Sequence, residues 1–66
     1  MDNKWVQIAD AAIKAMDEIV GAEQILVELM RTYSKDEDTW EMLHETFKRL
    51  NKTFMMLDSI YDTTDQ

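Results

Sequence analysis

Sixty-six residues allow one domain, and a chain this short buries only about 60% of the surface its unfolded form exposes. With no Cys and a single His, disulfides, thiolate metal sites and a multi-histidine site within one chain are excluded. Fourteen acids against seven bases give a net charge of −7, which disfavours phosphate-backbone binding and favours basic protein surfaces.

A small domain without these staples draws its stability from self-association or from a partner. The start, Met1-Asp2-Asn3-Lys4-Trp5, has an acid near the terminus and no apolar run, so no secretory leader is expected. No apolar stretch approaches the ~20 residues that span a bilayer. The expected location is cytoplasmic.

Asp2 or Asn3 can cap a first helix. From there the apolar positions recur in steps of three and four: Trp5, Ile8, Ala12, Ala15, Ile19, Ala22, Leu26, Leu29, Tyr33. That spacing predicts a helix over about 4–33. Gly21 interrupts it at a cost of about 1 kcal/mol relative to Ala. It lies on the polar side with Lys14, Asp17 and Glu28, so one continuous helix is expected, with a break near Val20-Gly21 as the alternative.

The turn is expected over about 34–37, in the run Tyr33-Ser34-Lys35-Asp36-Glu37-Asp38. Ser34 and Glu37 have capping-box spacing, and Asp36 and Asp38 are alternative caps. A second helix follows over about 38–62, with Thr63 to Gln66 as a frayed polar tail. Its seam is Trp40, Leu43, Phe47, Leu50, Phe54, Leu57 and Tyr61, with polar residues between.

A short turn makes the two helices antiparallel. Tyr33 then faces Trp40, Leu29 faces Leu43, Leu26 faces Phe47 and Ala22 faces Leu50. Ile19 faces Phe54, Ala15 faces Leu57 and Ala12 faces Tyr61. Small residues on the first helix meet large ones on the second, which fills space without voids. The fold class expected is all-α: an antiparallel two-helix hairpin that pairs into a four-helix bundle as a homodimer.

The pairing is expected because one neighbouring helix cannot cover all the apolar surface. The first helix carries a further stripe, Val6, Ile13, Val20 and Val27, with Ala9, Met16 and Met30 beside it. The second has Met42, Met56 and Ile60, with Thr53 between and Met55 alongside. Trp5 and Ile8 extend past the end of the second helix. Such strips mark interfaces, and Met suits an adaptable one. The expected interface residues, to a second copy or to a different protein, are Trp5, Val6, Ile13, Met16, Val20, Glu23, Val27, Met30, Met42, Met56 and Ile60. Glu23 is the polar exception in this face, and a carboxylate there needs a partner. Lys48, Asn51 and Lys52 lie at a similar level on the facing helix and would fix the register; a basic group on another protein is the alternative.

Enzyme signatures are missing: no Gly-rich phosphate loop, no Cys nucleophile, no Ser elbow. Neither catalysis nor a cofactor is expected. Glu41-x-x-His44 has the spacing of carboxylate-bridged di-metal bundles; with Glu18 or Glu23 from each copy, a dimer would complete the ligand count. The basic cluster Lys48, Arg49 and Lys52 is a candidate nucleic-acid contact. Its competing role is surface pairing of Glu45 with Lys48 and Arg49.

In layout the chain resembles the plasmid copy-number RNA-binding protein Rop: similar length, two antiparallel helices, acidic tail and dimer. It is also similar to the small helical-hairpin co-chaperones of type III secretion needles, with their short first turn and an aromatic seam on the second helix. The first resemblance implies a dimeric RNA-binding regulator, which would carry a basic and polar strip on its first helix. Here that face holds Gln7, Asp10, Lys14, Asp17 and Glu28. The second implies a protein chaperone. The residues themselves suggest a non-catalytic regulator, inhibitor or chaperone that binds a protein, of a size and acidity that suit a phage-encoded antagonist of a host factor.

Overall fold

The computed structural model describes residues 3–64, with side chains described for residues 4–63. Helix α1 spans Asn3–Thr32 and helix α2 spans Glu37–Thr64. They pack against each other as an antiparallel hairpin measuring 54 × 15 × 12 Å. The expected cap on Asp2 lies outside the described residues, and Asn3 is already helical.

Four residues make the reversal. The Tyr33 amide still donates to the Leu29 carbonyl at 2.9 Å, closing the last turn of α1. The Asp36 amide donates to the Tyr33 carbonyl at 3.1 Å, and Trp40 donates to the Asp36 carbonyl at 2.8 Å. Asp36 is the cap of α2: its Oδ1 accepts the Thr39 amide at 3.2 Å, satisfying one of the donors a helix start leaves open. Ser34 sits inside the turn, too early to form the capping box with Glu37. Glu37 and Asp38 occupy the first turn of α2, and Arg31 the last turn of α1. Each charge faces the helix-dipole end that favours it.

Gly21 does not break α1. Its φ is negative, and a Cβ built on it would meet no atom within 4 Å. At the other end, Thr63 and Thr64 extend α2 beyond the expected tail. The Thr63 hydroxyl donates to the Ser59 carbonyl at 2.9 Å. Thr32, Thr46 and Thr53 make the same bond to Glu28, Met42 and Arg49, each at 3.0 Å. Each threonine thus turns its hydroxyl onto its own helix.

The core is one seam wide. All seven seam residues of α2, from Trp40 to Tyr61, are partly buried. On α1 Ala12 and Ile19 are buried, while Ile8, Ala15, Ala22 and Leu26 are partly buried. The seam opens at both ends, where Trp5, Leu29 and Tyr33 are exposed. No large side chain is fully buried among the described residues. The accessible surface is 5523 Å², roughly 1,100 Å² above that of a compact monomer of this mass. The radius of gyration is 15.3 Å, against about 11 Å for a compact domain of this length.

Two substitutions test the local account in opposite directions. Gly21→Ala should stabilise the chain by about 1 kcal/mol, because it restores helix propensity into open space. Asp36→Ala should destabilise it by about 1 kcal/mol through loss of the cap. Urea unfolding followed by circular dichroism reads both.

Candidate functional site

At about 100° per residue, α1 has three positions of each heptad turned toward α2. Ala12, Ile19 and Leu26 lie on the centre line, with Ile8, Ala15 and Ala22 on one flank. On the other flank lie Ala9, Met16, Glu23 and Met30, all partly buried. One step further round come Val6, Ile13, Val20 and Val27, and all four are exposed. Val6 is 68% exposed and Val20 is 40% exposed.

These two rows interleave into a second seam: Val6, Ala9, Ile13, Met16, Val20, Glu23, Val27, Met30. Its spacing of three and four is that of the seam already paired with α2. A seam of this kind fits one more helix laid alongside α1. Seven of its eight positions are apolar. Asp10 and Asp17 lie along its outer edge, exposed.

Glu23 is the exception, and the structure does not give it the neighbour expected from the sequence. It makes no ion pair or hydrogen bond among the described residues. Lys48 bonds Glu45 on its own helix at 3.1 Å, and Lys14 bonds Asp10 at 3.0 Å. Neighbours three or four positions apart on one helix are close enough to pair without ordering anything else. The Glu23 side chain lies beside Val20, Val27 and Phe47. Together with Gly21, Gln24, Ile25 and Glu28, these residues line an open depression of about 790 Å³.

Ile25 escaped the sequence reading. It is 63% exposed and falls between the seams, in a row that otherwise holds Lys4, Ala11, Glu18 and Thr32. Its one signal is that it follows Gly21 by four residues, so the two share a surface. The expected stripe on α2 is also exposed: Met42 at 71%, with Met56 and Ile60 beside it in the same band and Met55 on the opposite edge. Met16 and Met30 are partly buried, and Trp5 is exposed at the hairpin's open end.

The remaining candidates are placed as follows. His44 stacks on Trp40 with ring centroids 4.8 Å apart and planes 18° from parallel. It therefore covers the start of the seam. Glu18 and Glu41 are exposed, and no three His, Asp or Glu of the described residues gather as metal ligands would. Lys48, Arg49 and Lys52 are exposed, but Lys48 is engaged with Glu45. The hydrogen bond and charge of Lys48 hold the Glu45 carboxyl below its ordinary value, helped weakly by Arg49 and His44. None of the described helices is long and apolar enough to cross a membrane.

No family model, no curated protein and no solved structure matches this chain.

Because the folded carboxyl of Glu45 is depressed, the pair adds stability above the ordinary value of 4.5 and loses it as the pH falls below that value. Lys48→Met should raise the Glu45 pKa toward ordinary, read by carboxyl-carbon NMR titration. The melting temperature should barely move, since exposed pairs contribute little.

Proposed function

We infer that this chain is a non-catalytic protein–protein interaction module, a small acidic hairpin that acts by laying the outer seam of α1 against another polypeptide. The observation that carries this reading is the second seam from Val6 to Met30, left exposed along its outer row by the pairing with α2. A chain whose only buried hydrophobics among the described residues are Ala12 and Ile19 gains stability when that seam is covered. Such a module regulates, inhibits or chaperones by occupying a surface on its partner. Trp5 at the open end, and Met42, Met56 and Ile60 on the other band, extend the contact area.

A second copy of the chain is one polypeptide that fits the seam. It would complete a homodimeric four-helix bundle, a reading supported by the recurrence of the same spacing on both sides of α1. In either form Val20 lies in the middle of the contact.

Val20→Asp should abolish association, weakening it by a hundredfold or more on the order of a buried unpaired charge. Far-UV circular dichroism should keep its helical signal, because Val20 is outside the α1–α2 seam. Light scattering of the chain alone and co-purification of the tagged chain measure the association. An association that survives the substitution removes this reading.

A further inference from the structure

We propose that the outer seam of α1 receives a basic amphipathic helix from a different protein, one that carries a Lys or Arg inside its apolar face opposite Glu23. This deepens the function proposed above and rests on it.

Charge complementarity selects the occupant. Glu23 sits in the seam with apolar neighbours, partly buried and without an ion pair or hydrogen bond among the described residues. Covering the seam removes more water from it, and a carboxylate then needs a cation or donor. A second copy cannot supply one from this seam. Every other position there is apolar, so in any register Glu23 would meet an apolar side chain or Glu23 of the copy. Two chains of net charge −7 would also be brought together. A helix with a central cation and basic flanks removes both costs at once.

The seam also sets the length. Val6 to Met30 spans about 36 Å at the rise of an α-helix, so the occupant presents about seven turns. It needs aliphatic residues at the spacing of a helix-in-groove ligand.

The test uses the full chain and three labelled synthetic helices of about 25 residues with one common aliphatic seam. The first has a Lys at the central seam position and Lys/Arg flanks. The second replaces the central Lys with Gln. The third has Glu flanks. Fluorescence anisotropy measures binding to the wild type, Glu23→Gln and Val20→Asp. The first helix should bind best. Either Glu23→Gln or loss of the central Lys should weaken it about tenfold, and combining the two should add little further loss, as a coupled pair requires. The third helix should bind far more weakly than the first. Equal binding of the first and third helices, additive losses in the double change, or a wild-type chain that is already a dimer at the working concentration would each overturn the proposal. Loss of binding in Val20→Asp alongside those results would leave the docking seam standing and sink only its charge preference. Undiminished binding in Val20→Asp would sink both.

Discussion

A helix presents its side chains all round, but a neighbouring helix covers only one band of them. That limit governs this protein. The α1–α2 seam removes one line of side chains from water, with Ala12 and Ile19 at its centre. A second line on α1 stays wet because the described residues supply no third helix to lay on it. The elongated shape follows, since two rods of 30 and 28 residues side by side cannot become compact. The same geometry makes folding and occupancy interdependent: whatever binds the folded hairpin shifts its stability by mass action.

The charges are arranged on two scales. Asp10 with Lys14, and Glu45 with Lys48, pair within one helix, three or four residues apart. Such pairs stabilise isolated helices by a few tenths of a kcal/mol and ask nothing of the tertiary structure. Glu23 has no such pair among the described residues. The excess of acids over bases thus leaves one carboxylate, at that one position, in a row that is otherwise apolar.

The threonines and methionines treat the surface of α2 in a related way. Thr46 and Thr53 give their hydroxyls to carbonyls one turn back, so the polar atom is spent within the helix. Met42, Met55 and Met56 stand exposed nearby with unbranched, adaptable side chains. The aromatic residues do the opposite. Trp40 is partly buried at the turn end and stacked by His44, and Phe47, Phe54 and Tyr61 fill the seam. The rings of α2 thus lie in the seam with α1, and its thioethers stand in the solvent.

The two helices, their antiparallel packing and the surplus of apolar surface were all legible in the sequence. They rest on periodicity, and the period of three and four from Trp5 to Tyr61 is uninterrupted apart from one polar turn. Local choices between near-equal options were not legible. Asp36 rather than Ser34 caps α2 because the turn closes at Tyr33, which sets which side chain sits one residue before Glu37. Gly21 stays helical because hydrogen bonds on both sides of one weak residue outweigh its entropy cost. The pairing of Lys48 with Glu45 was legible from their spacing; only the tertiary arrangement decided that Glu23 would receive no cation from α2. Periodicity reports which face a residue occupies. It does not report which of several neighbours on that face a flexible side chain will take, because that depends on the distances between helices.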